Sequence, residues 1–246
     1  MAKTWKFRAV EDEAVRRLSQ TLGLSPLLAQ LLQIRGIQTP EAARPFLAPS
    51  DQAFDDPFLF SEMNPAVERI LAAVGRGERM VVYGDYDVDG ITATCILLET
   101  LWSLEATVES YLPDRLNEGY GLQEEAIRNL AGGCDLLITV DCGATAVAET
   151  RLARELGMDV IITDHHDPGD ERPPATAVLN PIFPNESYPN KYLSGSGVAW
   201  KLACALREKA GRPEPEDHLL ELAALGLIAD VMPLVGENRI LVARAL

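Results

Sequence analysis

The 246-residue sequence lacks the features that would place a protein in a membrane or send it out of the cell. Its longest apolar runs fall far short of the ~20 residues that a membrane-spanning helix needs. Residues 1–6 are not followed by an apolar segment, so we expect no secretory signal peptide. The four cysteines show neither CxxC spacing nor a disulfide pattern, which indicates free thiols. We therefore expect a cytoplasmic protein that has no membrane partner.

Positive charge is also scarce. The chain has 22 lysine and arginine residues against 37 aspartate and glutamate residues, which gives a formal net charge of −15. A protein that coats nucleic acid needs the opposite balance, so the charge argues against that class. It does not exclude an enzyme that acts on nucleic acid, because divalent ions held by clustered carboxylates would supply positive charge where a phosphate binds.

Histidine is rare, yet two of the three histidines, His165 and His166, stand side by side after the apolar run 160–162. Three other apolar runs also lead into carboxylates. These carboxylates are Asp85, Asp87 and Asp89 after the first run, Asp141 after the second, and Asp230 after the third. Asp often ends a strand and begins a turn. Four such endings in one chain are hard to attribute to turn chemistry alone.

The alternate spacing of Asp85, Asp87 and Asp89 is the most informative pattern in the chain. Residues two apart on an extended strand share a face, and three anions on one face repel one another unless a cation lies among them. The pattern predicts a divalent-metal site, and a solvated turn is the alternative. For His165 and His166 the alternative is a helix cap plus a core histidine. Carboxylates with an added imidazole suit magnesium or manganese, and there are enough ligands for two ions.

The order of elements predicts an α/β fold in which a parallel sheet is sandwiched by helices. Residues 1–60 read as a mainly helical extension, and residues 61–246 as the main domain. Strands are predicted at 80–85, 106–112, 136–141, 159–164 and 176–179, and helices at 90–104, 123–131, 144–157, 197–210, 216–229 and 237–246. Ligands of open parallel sheets bind beyond the carboxyl ends of the strands, which is where the acidic residues and histidines fall.

The motifs in this pattern are GDYDVDG at 84–90, VDCG at 140–143, TDHH at 163–166 and AD at 229–230. Together they resemble the DHH phosphoesterase superfamily. Over residues 60–246 the chain is similar to the RecJ family of single-strand-specific exonucleases, with YGDYDVDGITAT at 83–94 and SGSGVAWKL at 194–202. Other branches carry a histidine near the position of Tyr83, so Asp85 would take its place as a ligand.

The resemblance implies a metal-binding role for six residues. One manganese or magnesium ion would be bound by Asp87, with Asp85 nearby. The second ion would be bound by Asp89, His165 and Asp230, and Asp141 would bridge the two ions.

The resemblance also implies catalytic roles for Asp141 and His166. The imidazole of His166 would lie beside the scissile phosphate and stabilise developing charge there, without binding metal. The carboxylate of Asp164 would orient the histidines or serve as a structural carboxylate.

Further residues are candidates for substrate contact. Arg115 would hold a phosphate, or else form a surface ion pair. Tyr120 would stack on a base. Asn180 is either a site contact or a side chain that fixes its loop.

A helix start formed by Gly195, Ser196 and Gly197 is the last substrate candidate. Free N–H groups at a helix N-terminus can accept a phosphate. The alternative is a tight turn that needs glycine.

The leading hypothesis is a two-metal phosphodiesterase that removes nucleotides from the 5′ end of single-stranded DNA in repair and recombination. Its partners would be a single-strand-binding protein and a helicase. A DHH enzyme acting on short RNA, a cyclic dinucleotide or pyrophosphate is one alternative, and a non-catalytic scaffold is another. Enzymes of this family carry a second domain and a nucleotide-binding module that we do not recognise here. We therefore expect a piece of a longer chain that binds metal but digests DNA weakly.

Overall fold

A computed structural model describes residues 6, 8–114, 119, 121–212 and 217–246. The chain divides into two compact units, Met1–Ala53 and Phe54–Leu246. Within the described residues, no helix combines the length and the apolar character needed to cross a bilayer.

The first unit contains three short helices, α1 (Asp12–Leu22), α2 (Pro26–Ile34) and α3 (Pro40–Leu47), followed by a 3-10 turn at Pro49–Asp51. Both α2 and α3 begin at a hydroxyl N-cap followed by proline, since Ser25 accepts a hydrogen bond from Leu28 N and Thr39 accepts one from Ala42 N. The inner faces of the three helices bury a small core made of Val15, Leu18, Ala29, Leu32 and Ala43.

The second unit is an α/β domain built on a parallel sheet of five strands. After a 3-10 turn at Pro57–Leu59, its elements are α4 (Met63–Arg76), β1 (Arg79–Tyr83), α5 (Val88–Ser103), β2 (Thr107–Tyr111), α6 (Glu124–Leu130), β3 (Leu136–Val140), α7 (Val147–Glu155), β4 (Asp159–Thr163), β5 (Ala177–Leu179), α8 (Gly195–Lys209), α9 (Asp217–Ala229) and α10 (Gly236–Ala245). The strand order is β2-β1-β3-β4-β5, and every pairing is parallel. The predicted α/β class is confirmed, and each strand lies within about two residues of its predicted bounds.

Helices cover both faces of the sheet. Val82 and Ile138 pack into a core shared with α4, α5, α8 and α9. Val81 and Leu137, their neighbours along the strands, pack on the other face against α6 and α7. This alternation follows from the two-residue period of a strand, and it explains why β3 is buried along its whole length.

The strand register brings the carboxyl ends of the central strands to one edge of the sheet. Tyr83 of β1 pairs with Thr139 of β3, and Thr163 of β4 pairs with both Val140 and Leu179. The residues that follow these strands therefore emerge side by side, although they are far apart in the sequence.

Candidate metal centre

Acidic and histidine side chains from four segments converge at this edge of the sheet around the imidazole of His165. Its Nε2 atom lies 3.1 Å from Oδ1 of Asp141, 3.7 Å from Oδ2 of Asp89 and 3.7 Å from Oδ2 of Asp230. Asp141 follows β3 with a left-handed backbone (φ 59°), a conformation that costs an aspartate little. Asp230 follows the last residue of α9. The spatial convergence that the motifs predict is therefore present.

The converging side chains form three groups in which all candidate ligand atoms lie within 4.8 Å of one another. These groups are Asp85, Asp87 and Asp141; Asp89, His165 and Asp230; and Asp141, His165 and His166. The first two groups share no residue. The third joins them, because it contains Asp141 from the first and His165 from the second. The arrangement has room for two cations with Asp141 between them.

The alternate spacing of Asp85, Asp87 and Asp89 suggested an extended strand, but the motif at 84–90 is not one. β1 ends before it, and α5 begins inside it. Asp87 is the N-cap of α5 and accepts a hydrogen bond from Gly90 N at 3.0 Å, and Asp89 lies in the first helical turn. The turn into the helix separates the three carboxylates, so that Asp85 and Asp87 belong to one group and Asp89 to another. Both Asp87 and Asp89 lie at the positive end of the helix dipole, which favours anions.

Burial makes the negative charges of the cluster costly when no cation is bound. Asp141 is 1% exposed, and its pKa is raised to about 10 by burial and then by the charges of Asp89, Asp87 and Asp164. Burial is also the main cause that raises the pKa of Asp85 and of Asp230. These carboxyl groups would hold their charge readily only with cations beside them.

Unsatisfied polar atoms mark the same place. Within the described part of the chain, only four buried side-chain nitrogen or oxygen atoms have no hydrogen-bond partner. Three of the four are in the cluster, namely Asp85 Oδ1, Asp141 Oδ1 and His165 Nε2. Buried polar atoms in proteins are rarely left without a partner. Two carboxylate oxygens and an imidazole nitrogen are a donor set that fits a divalent manganese or magnesium ion.

Asp164 fixes the geometry of the two histidines. Its Oδ1 atom accepts hydrogen bonds from His165 N at 2.7 Å and His166 N at 3.1 Å, and lies 2.8 Å from His166 Nδ1. Its Oδ2 atom accepts from Ala144 N at 2.7 Å. Burial alone would raise the pKa of Asp164, but the hydrogen bonds with His166 and Ala144 outweigh it and lower the pKa. An ionised Asp164 can only accept, so His166 Nδ1 carries a proton.

The structure describes only some of the predicted substrate contacts. Asn180 is fully buried, donates to the His166 carbonyl oxygen at 2.9 Å and accepts from Ile182 N at 3.0 Å, so it fixes the loop after β5 against the histidine segment. Arg115 and Tyr120 lie outside the residues that the structure describes.

The helix start at residues 195–197 has a different acceptor from the predicted phosphate. Gly195 N donates to Asp89 Oδ2 at 2.6 Å, and Ser196 N donates to Asp89 Oδ1 at 3.1 Å. Gly197 N donates to Ser194 Oγ, the N-cap of α8. These three amides therefore bind acceptors within the protein itself.

Gly226 is a site residue that the sequence reasoning missed. A Cβ atom at this position of α9 would overlap Asp89 Oδ1 and Ser196 Oγ and would lie 2.5 Å from Thr92 Oγ1. Only glycine lets α9 approach this closely. The available signal was a glycine in the middle of an apolar helix, where it costs stability without a packing reason.

Comparison with known proteins agrees with this geometry. Residues 79–227, more than half of the chain, match the model described as "DHH family, N-terminal domain". The chain belongs to the DHH family. The resemblance drawn from the motifs is thereby confirmed.

Relatives within the DHH family share much of the sequence. The chain is 47% identical over 238 residues to the single-stranded-DNA-specific exonuclease RecJ of Bacillus subtilis, an alignment that covers 96% of this chain. It is 45% identical over 174 residues to RecJ of Thermus thermophilus, covering 71% of this chain. The crystal structure of the Thermus thermophilus RecJ in complex with Mn²⁺ matches 95% of the chain with a TM-score of 0.78 and 35% identity.

These relatives are much longer than the matched region. The alignments cover 30% of the Bacillus subtilis protein, 26% of the Thermus thermophilus protein and 33% of the solved chain. The chain thus spans about a third or less of the length of these three relatives.

Proposed function

We propose that this chain carries the catalytic metal site of an exonuclease that hydrolyses phosphodiester bonds of single-stranded DNA from the 5′ end. The observation that carries the proposal is the convergence of two ligand groups on Asp141 and His165, together with three buried atoms of the cluster that have no hydrogen-bond partner within the described residues. The similarity to proteins named as single-stranded-DNA-specific exonucleases supports the choice of substrate.

We assign the ligands of the two ions from the two separate groups. Asp85, Asp87 and Asp141 would bind one ion, and Asp89, His165 and Asp230 the other, as the distances between their ligand atoms allow. Asp141 would contribute to both sites, since its Oδ1 atom also lies 3.1 Å from His165 Nε2 of the second group. Manganese is the preferred ion and magnesium the second choice, since an imidazole ligand favours manganese.

The chemistry proposed for the site is an in-line displacement at phosphorus. A pair of divalent ions supplies a lowered pKa for the attacking water and neutralises charge on the phosphate. Asp141 belongs to the first ligand group and lies next to His165 of the second. The ring of His166, oriented through its Nδ1 proton by Asp164, stabilises the charge that develops on a phosphate oxygen.

The setting of the reaction is proposed on separate grounds. The four cysteines are free thiols, which is consistent with the reducing cytoplasm that we propose as the location. A single-strand-binding protein and a helicase are proposed as partners on the resemblance of the motifs, as is a role in repair and recombination.

Metal binding and end-labelled substrates test the proposal. Calorimetric titration should show two manganese ions bound by the wild type and weaker binding by Asp141→Asn, which keeps the shape of the side chain. With manganese, the wild type should release mononucleotides from 5′-labelled single-stranded DNA faster than from duplex DNA, and Asp141→Asn should be at least ~100-fold slower.

Three results would overturn the proposal. The first is a wild type that binds no manganese at millimolar concentration, which would favour a non-catalytic scaffold. The second is release only from short RNA, which would favour the small-substrate alternative. The third is nuclease activity that Asp141→Asn retains in full, because a contaminating nuclease or another site would then account for it.

A further inference from the structure

We propose that Ser196 and Gly226 are positioning residues that hold the metal ligands Asp89 and Asp230 at the same distance from His165. The inference rests on the ligand roles proposed above and deepens them. It gives the start of α8 a role different from binding substrate phosphate.

The carboxylate of Asp89 is held by the N-terminus of α8. Each of its oxygens accepts one backbone N–H bond, from Gly195 at 2.6 Å and from Ser196 at 3.1 Å. Each oxygen of an ionised carboxylate has a further lone pair, so both remain able to bind a cation. α8 is 15 residues long, and its dipole also favours the negative charge. Asp89 is therefore fixed in orientation before any ion binds.

Ser196 connects this carboxylate to α9. Its backbone N–H binds Asp89, and its hydroxyl group donates to the carbonyl oxygen of Ala223 in α9 at 3.1 Å. The hydroxyl also lies 2.9 Å from Ser194 Oγ, the helix cap. One buried residue thus contacts the ligand-bearing turn of α5 and the helix that leads to Asp230.

Gly226 completes the connection from the other side. Its Cα lies so close to Asp89 and Ser196 that a Cβ atom would overlap both side chains. Its carbonyl oxygen accepts a hydrogen bond from Asp230 N at 2.9 Å. The position of Gly226 against Asp89 therefore sets the position of Asp230. The outcome is a symmetric placement, with one carboxylate oxygen of each aspartate 3.7 Å from His165 Nε2.

The first experiment compares Ser196→Ala with Thr100→Val in manganese titrations of the full chain. Both changes remove one buried hydroxyl group that donates to a helix carbonyl oxygen, and Thr100 donates to Ile96 within α5, about 16 Å along the helix from Asp89. Ser196→Ala keeps the backbone N–H bond to Asp89 and removes the hydroxyl contact with α9, the helix that leads to Asp230. We therefore expect the ion of the Asp89 group to bind about 10- to 100-fold more weakly and the other ion to bind within about threefold of wild type. In Thr100→Val both ions should bind as in wild type.

Nitrogen coupling in the electron paramagnetic resonance spectrum of bound Mn²⁺ identifies the ion next to His165. That signal should be lost in Ser196→Ala at limiting manganese and retained in Thr100→Val. Thermal unfolding of the two variants measures any general loss of stability and separates it from the loss of one ion.

A pair of glycine substitutions provides a second test. Gly226→Ala should eliminate binding of the ion of the Asp89 group, because the added methyl group displaces Asp89 or α9. Gly75→Ala is the matched control, since a Cβ atom at this position of α4 would meet nothing within 4 Å. It should leave both ions unchanged.

The outcomes separate this inference from the proposed function. If the wild type binds two ions and Ser196→Ala binds both with wild-type affinity, the inference is overturned and the proposed function is not. Equal weakening of both ions in Ser196→Ala and Thr100→Val would also overturn it, because a general loss of stability would explain the result. Wild-type protein that binds no manganese would overturn the proposed function and this inference with it.

Discussion

Asp141 illustrates the cost of burying a carboxyl group that we propose as a metal ligand. It is 1% exposed, and burial together with Asp89, Asp87 and Asp164 raises its pKa to about 10. In the unfolded chain an aspartate titrates near pH ~4. Without a cation, folding at neutral pH must therefore either protonate this carboxyl group or bury its charge. Both options make the metal-free folded state less stable.

We expect Asp141→Asn to stabilise the metal-free protein by roughly 1–3 kcal/mol near neutral pH, because the amide is neutral in both states and folding then requires no proton uptake at this position. The pKa of Asp141 is raised on folding, so the wild-type carboxyl group destabilises the folded state increasingly as pH rises from about 4 towards about 10. The advantage of the variant should therefore grow between about pH 5 and about pH 8. Scanning calorimetry in a chelator measures it. A variant less stable than wild type at both pH values would contradict this account.

The convergence of Asp141, His165 and Asp230 in the candidate metal centre could be predicted from the sequence, but the hydrogen bonds around these residues could not. Asp141, His165 and Asp230 each follow an apolar run, and that pattern is visible in one sequence. The partners of Asp89 are different, because Gly195 lies 106 residues later and nothing local indicates the contact. The sequence therefore predicts either a phosphate contact or a tight turn at this helix start, and neither alternative indicates that Gly195 N and Ser196 N donate to Asp89.

At the scale of the elements, a buried ion pair joins α8 and α10. The side chains of Lys201 and Glu237 form a salt bridge, and each is 1% exposed. Glu237 also accepts hydrogen bonds from Tyr188 Oη at 2.6 Å and from Asp55 N at 3.0 Å, and Lys201 Nζ donates to the Asp55 carbonyl oxygen at 2.6 Å. Each charge has an opposite charge and at least one hydrogen-bond partner beside it, which offsets part of the cost of burying it.

Removing one member of this buried pair should be costly. We expect Glu237→Gln to lower the free energy of unfolding by about 3–5 kcal/mol, because Lys201 would stay buried without a counter-charge. Chemical denaturation measures the effect. The surface pair Arg128–Glu124, whose side chains are 55% and 67% exposed, is the control, and Glu124→Gln should cost less than ~1 kcal/mol. Similar losses in the two variants would show that burial does not determine the energy.

Element types were predicted well because strand and helix periods differ clearly in this chain, whereas element boundaries depend on capping. The start of α5 shows the difference. The alternate spacing of the acidic motif predicted a continuation of β1, with the helix beginning at residue 90. The structure begins it at Val88, because the Asp87 side chain accepts a hydrogen bond from Gly90 N and ends the extended segment.

For the molecule as a whole, the placement of the site follows from parallel topology, and its energetics follow from charge. The strand order puts the ends of β1, β3 and β4 side by side, which a general rule for parallel sheets anticipates. The chain carries a net charge of −15, and several of its acidic side chains meet at that edge. The described ion pairs of the cluster join these acids to histidine and include no lysine or arginine. Cations bound there would relieve the repulsion among these aspartates, which no other described charge of the cluster offsets fully.

We therefore expect divalent ions to stabilise the whole domain in a way that monovalent salt does not reproduce. Manganese at about one hundred times its dissociation constant should add about 2.7 kcal/mol for each ion bound, since the ion binds the folded state and not the unfolded chain. Magnesium should need a higher concentration for the same rise in Tm, because the imidazole of His165 favours manganese. A chelator should reverse both effects, and sodium chloride at equal ionic strength should give a smaller rise that Asp141→Asn shares. An equal rise in Tm with sodium chloride and with manganese would show that screening of the net charge, and not ligation at this site, stabilises the fold.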